Sequence, residues 1–287
     1  MSIYYAEKWT PNVHWDDDLG RNVGYDIYLS NENTDYDYTW TELSEWNNHP
    51  CYRNYVKKLF LTTEPWWNPQ TQMMDDSHVF LLDIPNSNCS GLFKGCLNET
   101  ITDIDKIRVY YSTTSFAEMF RDCPNLKSVN CSGWYTDEIL AIDYMFADCP
   151  NLEEINITGW TSWSKIWACS YCFANDVNLH LIKVDPGLNW NEVMDWSGWE
   201  HRFNDIFENC PSLPDWDSSR TDIYYANDSL PWEDEWGNGS YGGYFRHDFQ
   251  WRDFEIYEKD NDEWKKTSVK EKASNAWRNA TPKMLEY

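Results

Sequence analysis

The chain has 287 residues, 41% of them hydrophobic, which suffices for one large domain or two to three small ones and excludes wholesale disorder. Its formal net charge of −25 makes nucleic acid and anionic lipid poor partners and favours solubility, bound cations or a basic protein neighbour. No stretch reaches the roughly 18 apolar residues of a membrane span, so no membrane insertion is expected. The start, Met1-Ser2-Ile3-Tyr4-Tyr5-Ala6-Glu7-Lys8-Trp9, has neither the basic nor the apolar region of a signal peptide. The 19 Trp, 19 Tyr and 12 Phe exceed what a small core needs. Two uses are open for the surplus: filling an irregular interior, or lying on surfaces where flat rings with a polar edge suit sugars, peptides or other subunits.

Residues 1–88 read as an irregular, β-rich N-terminal cap. Residues 24–29 and 35–40 are strand-like, the second (Asp35-Tyr36-Asp37-Tyr38-Thr39-Trp40) with period-two alternation. A helix is expected near 52–60. Residues 79–84, Val79-Phe80-Leu81-Leu82-Asp83-Ile84, read as a buried strand, either the first rung of a solenoid or the cover over its end.

Residues 89–218 contain an internal repeat. Met119-Phe120-Arg121-Asp122-Cys123-Pro124-Asn125-Leu126-Lys127-Ser128-Val129-Asn130-Cys131-Ser132-Gly133-Trp134 recurs 26 residues later, from Met145-Phe146 to Gly159-Trp160. A third copy starts at Cys172-Phe173, with Asp176 in the cysteine slot, and reaches Leu179. A fourth runs through Ile206-Phe207, Cys210-Pro211-Ser212-Leu213 after an insertion, and a degenerate one sits at Leu92-Phe93-Lys94-Gly95-Cys96. In each unit Thr114 or Ser115 is placed to cap a short helix, with Phe116, Met119 and Phe120 on one face. Cys-Pro-Asn ends it, because proline disfavours helix at the residue before it. Leu126, Val129 and Cys131 then point inward from a short strand, as do Leu152, Ile155 and Ile157, and Leu179, Ile182 and Val184. No unit buries its apolar face alone, but stacked units do. Cys96, Cys123, Cys149 and Cys210 share one register and should form a column of small, buried, reduced thiols. The expected fold class is therefore α/β: a short solenoid with a β-rich cap and a mixed C-terminal region.

The string Met-Phe-x-x-Cys-Pro-x-Leu-x-x-(Val/Ile)-Asn-x-(Ser/Thr)-Gly-Trp resembles the BspA-like leucine-rich repeats, across residues 92–218. The resemblance implies a leucine-rich-repeat solenoid used for surface display, adhesion or host recognition, in bacteria, some protists and some bacteriophage particles, and it implies no catalytic residues.

Residues 219–243, rich in Asp, Asn, Ser and Gly, read as a linker. Residues 244–257 read as strand or hairpin, and 262–279 as a closing helix. Residues 259–287 carry seven Lys/Arg against five acids, so a cationic tail succeeds an acidic body. That tail is either a solvated helix or a segment that docks on its own body or on another copy.

Little chemistry is legible. The acidic runs Asp16-Asp17-Asp18 and Asp260-Asn261-Asp262-Glu263 lack the alternating spacing and distal Glu of a calcium loop. Cys169-Ser170-Tyr171-Cys172 has no second pair to complete a zinc site, and Cys172 occupies the methionine slot of the repeat. No nucleophile elbow, P-loop or dinucleotide-binding pattern is present. Catalytic residues, metals and cofactors are therefore not expected. The expected function is a non-enzymatic, surface-exposed binding or adhesion module. A bacteriophage virion component, in a head or tail fibre or decoration used for host attachment, is the first expectation. A bacterial cell-surface adhesin is the alternative, and a carbohydrate-active enzyme ranks below both. Expected partners are other structural proteins, a host surface protein or glycan, or a second copy of the chain.

Strand alternation places the candidate contact residues. Four beyond the repeat leucine stand Asn130, Asn156, Lys183 and Asp217; two beyond it stand Ser128, Glu154, Leu181 and Asp215. Neighbouring rungs about 4.8 Å apart would give these a fixed outward spacing. Trp134 and Trp160, just after each strand, either line an edge of that face or fill the core at the turn.

Overall fold

The computed structural model describes residues 3–10, 15–16, 21–22, 24–31, 35–43, 51–68, 71–82, 88–109, 113–160, 166–190, 204–228, 232–233, 239–240, 242–247, 256–260 and 263–267. The chain divides into two compact units, Met1–Asp248 and Phe249–Tyr287.

The first unit opens with a mixed four-stranded sheet, in the order Thr41–Glu42, Tyr4–Trp9, Tyr25–Ser30, Tyr55–Phe60. Tyr4–Trp9 lies antiparallel to Tyr25–Ser30, which lies parallel to Tyr55–Phe60. Tyr25–Ser30 meets the expectation for 24–29, whereas 35–40 forms turn and loop and the strand begins only at Thr41. The helix expected near 52–60 is the strand Tyr55–Phe60. The ladder pairs Val56 with Ile27 and then Lys58 with Tyr28, so Lys57 is an extra residue in the strand. A bulge of this kind bends the strand and resets which face a side chain takes. It lets Val56 and Leu59 both enter the core at a spacing of three, which imitates a helix.

Phe80–Leu82, expected as a buried strand, pairs in parallel with Ile107–Val109. Beyond it lies the repeat. Ser128–Asn130, Glu154–Asn156 and Leu181–Lys183 stack as parallel three-residue strands. On the other side of each coil, Asn88, Ser115, Ala141 and Ala168 form successive parallel bridges. Inside, Phe93, Phe120, Phe146, Phe173 and Phe207 stack ring on ring at 5.4–5.6 Å, with interplanar angles of 3–8°. A side-chain ladder runs along the coils: the Nδ2 groups of Asn125, Asn151 and Asn178 donate to the carbonyls of Leu97, Pro124 and Pro150. The solenoid is thus present, and it is mostly β.

The helical half of the expected α/β class is a correction. Among the described residues there is no α-helix; helical backbone is limited to short 3-10 turns such as Ile104–Lys106 and Ile223–Tyr225. A helix over 114–122 would bond its N–H groups within itself. Instead Phe116, Glu118, Phe120 and Asp122 donate to the carbonyls of Ala141, Asp143, Met145 and Ala147 on the next coil, at 2.8–3.1 Å. Glu118 and Asp122 have φ of 57° and 59°, and a left-handed residue every fourth position ends any α-helix. The pattern repeats one coil on, at Tyr144 and Asp148, and again at Tyr171 and Asn175. Phe116, Met119 and Phe120 are nevertheless all buried, so the periodicity marks the inward set and not the backbone geometry.

The fourth rung also departs from expectation. Cys210 keeps its place in the cysteine column, but the strand side after Leu213 leaves the stack. Pro214 has no N–H to give a ladder, and Asp217 accepts from the Ser219 N–H in a local turn. The fourth strand of the sheet is Phe245–Arg246, paired in parallel with Leu181–Lys183. Ile223, Ala226, Tyr244 and Phe245 join the common core, so the solenoid unit continues well beyond residue 218.

In the second unit, Ile256–Asp260 and Glu263–Thr267 pair as an antiparallel hairpin. The helix expected over 262–279 is replaced by strand at 263–267, and residues 268–279 of it lie outside the described residues.

Candidate binding face of the solenoid

The parallel ladder fixes which side chains share a row. Val129, Ile155, Ile182 and Phe245 face one another on the buried side. Ser128, Glu154 and Leu181 form one outward row, and Asn130, Asn156, Lys183 and Arg246 form the other. All except Glu154, which is exposed, are half-buried. Six of the candidate residues, Ser128, Asn130, Glu154, Asn156, Leu181 and Lys183, are therefore brought together as the sequence suggests.

Four are not. Asp215 and Asp217 are outside the sheet, because the chain leaves the ladder at Pro214. Trp134 and Trp160 are buried, at 0% and 2% exposure, and stack on each other at 6.5 Å. The Trp160 indole N–H donates to the Cys131 carbonyl at 2.8 Å and the Trp134 indole N–H to the Ile104 carbonyl at 3.3 Å. Each tryptophan is thus clamped to the preceding coil, and neither lines the outer face. Of the two uses left open for them, filling the core is the one found.

The face is polar but partly committed to its own turns. The Asn130 Oδ1 accepts from the Ser132 N–H at 3.1 Å. The Asn156 Oδ1 accepts from the N–H and the hydroxyl of Thr158 at 3.0 and 2.9 Å. Strand residues of this type anchor the turn after them, which leaves a partner the amide nitrogens and, on the Asn130 Oδ1, one acceptor site. Glu154 lies 3.7 Å from His180, and Lys127 pairs with Glu99 at 2.7 Å.

Arg246 is the residue the sequence did not reveal. Its Nη1 donates to the carbonyls of Gly243 and Phe245, both at 2.7 Å. Burial pulls its guanidinium below the usual arginine range, although at neutral pH it stays cationic. With Lys183 beside it in register, one end of the face is basic on a strongly acidic protein. The only signal was Phe245 in an apolar slot flanked by polar residues, about 60 residues after the preceding rung.

The cysteines match expectation. All nine are free and buried. The thiols of Cys96, Cys123, Cys149 and Cys210 donate to the carbonyls of Cys51, Phe93, Phe120 and Phe173 at 2.9–3.2 Å. Cys169 and Cys172 lie in the same core, where burial pushes their thiols well above the usual range. Among the described residues, no group of three or more His, Cys, Asp or Glu side chains is placed to hold a metal ion.

Comparison with models of protein families, with curated proteins and with solved structures finds no match, so the assignment rests on the fold and its outward face.

Proposed function

We propose that the chain is a non-enzymatic binding module that contacts its partner through the outward face of the parallel sheet. One observation carries this: the ladder holds Ser128, Glu154 and Leu181, and Asn130, Asn156, Lys183 and Arg246, in two straight rows of fixed spacing. A rigid, pre-formed row of polar groups loses little entropy on binding. Glu154 at the centre and Lys183 with Arg246 at one end give it a charge pattern for a polar protein or glycan surface. The repeat string supports the finer reading, a leucine-rich-repeat module of BspA-like type. It also supports the place, exposed on a virion or on a cell exterior.

The test is the pair Glu154→Lys with Lys183→Glu, applied together. Binding of labelled protein to intact bacterial cells and to a glycan array is measured beside the melting temperature. The double variant should bind at least tenfold more weakly with an unchanged melting temperature. Full retention of binding would remove the sheet face from the interaction.

A further inference from the structure

One coil breaks the chemistry of the cysteine column. The Cys149 and Cys210 side chains each span two groups of the coil before them. The thiols of Cys123, Cys149 and Cys210 donate to the carbonyls of Phe93, Phe120 and Phe173. The Cys149 and Cys210 thiols also face the N–H groups of Cys123 and Asp176, the column residues one coil earlier. A thiol can fill this place because it both donates and accepts.

Asp176 occupies the place in the third coil. Its side chain is fully buried, at 0% exposure. Its Oδ1 accepts from the Cys149 N–H at 2.8 Å, as the register requires. Its Oδ2 has no partner. By the same register the carbonyl opposite Oδ2 is that of Phe146, which lies between Phe120 and Phe173 in the phenylalanine column and, unlike them, receives no thiol. An ionised carboxylate accepts only, and would set two acceptors against each other in a dry core. A protonated one accepts with Oδ1 and donates with Oδ2, and so reproduces the thiol.

We propose that Asp176 is a neutral carboxylic acid in the folded protein, donating its proton to the Phe146 carbonyl, and that it makes this coil pH-sensitive. The groups around it agree. Cys149 and Asp148 face it from the preceding coil, Cys172 from its own and Cys210 from the next, and none is a cation. Asp148 is itself occupied by the Arg121 guanidinium at 3.0 Å and the Asn175 amide at 2.8 Å. Desolvation, the largest influence, pushes the Asp176 carboxyl well above its ordinary 3.8.

Linkage sets the sign. The folded chain keeps a proton that the unfolded chain releases near pH 3.8. The stability from this residue is fully present below that pH. It is lost as pH rises from there through the raised folded value, at about tenfold in the folding equilibrium per pH unit. Carboxylates held low in the fold, such as Asp75 and Glu118, act in the opposite sense, so the effect must be read as a difference between variants.

Asp176→Asn supplies an acceptor and a donor with no proton to lose, and Asp176→Cys restores the column's own side chain. Urea unfolding of the three proteins is compared from about pH 4.5 to about pH 8.5. Both variants should gain on the native chain as pH rises, by about tenfold per unit inside the window. Parallel pH profiles for all three would overturn the proposal. If the variants do not fold, the infrared spectrum of the native chain decides. A protonated carboxyl C=O stretch that persists at neutral pH supports a neutral Asp176, and its absence overturns it.

Discussion

In the solenoid most of the aromatic rings face one another; in the N-terminal region several of them face water. Phe120, Phe146 and Phe173 each lie between two copies of themselves, and Trp134 and Trp160 bond the coil beneath. Tyr36, by contrast, is 97% exposed, and Trp67 sits opposite Met74 on the outer side of the hairpin Trp66–Asn68/Met73–Asp75. The difference is one of repetition. A ring in a stack has its neighbours set by the period, whereas a ring in a sequence used once needs a partner specific to it. The surplus of aromatics is therefore divided between the interior of the solenoid and the protein surface.

The comparison can be broken at its strongest point. Phe146→Ala removes a ring that touches both Phe120 and Phe173, and should cost about 3–5 kcal/mol in urea unfolding. Leu152→Ala, buried in the same coil, should cost about 2–5 kcal/mol. A near-neutral result for either would mean that the coils are not packed as a stack. A smaller loss is expected where backbones, not rings, meet. Gly159 has φ of 85°, and a Cβ there would lie 3.0 Å from the Gly133 nitrogen. Gly159→Ala should lower stability by about 1–2 kcal/mol, seen as a lower melting temperature. The smallest effect belongs to the other region: Trp67→Ser should change stability by no more than about 0.5 kcal/mol, because the ring is exposed. A larger loss there would show that the exposed aromatics are structural after all.

The inward residues of the repeat were legible because each is copied. Leu126, Leu152 and Leu179 are all buried, and the cysteine column runs as the register demands. What failed were features that local pattern disguises. Phe116, Met119 and Phe120 have helical spacing, but the left-handed residues at Glu118 and Asp122 are neither Gly nor Asn and give no warning. Val56 and Leu59 imitate a helix through a one-residue bulge. Among the candidate contact residues, Asp217 was counted from a leucine whose next residue is proline, and Arg246 comes from a strand that returns only after a long excursion. Counting along a period finds the residues of a row only while the chain keeps the period.

That excursion has a consequence in time. On the strand side the third coil is completed by a bond from the Val184 N–H to the Arg246 carbonyl, and those residues are about 60 apart. A ribosome adds about 5–20 residues per second, so the third coil waits roughly 3–12 s with its outer edge uncovered. The first coils of the repeat wait less than half as long, because each is closed by the segment made directly after it. The basic end of the outward face, Lys183 with Arg246, is therefore the last part of the sheet to exist as the protein is made.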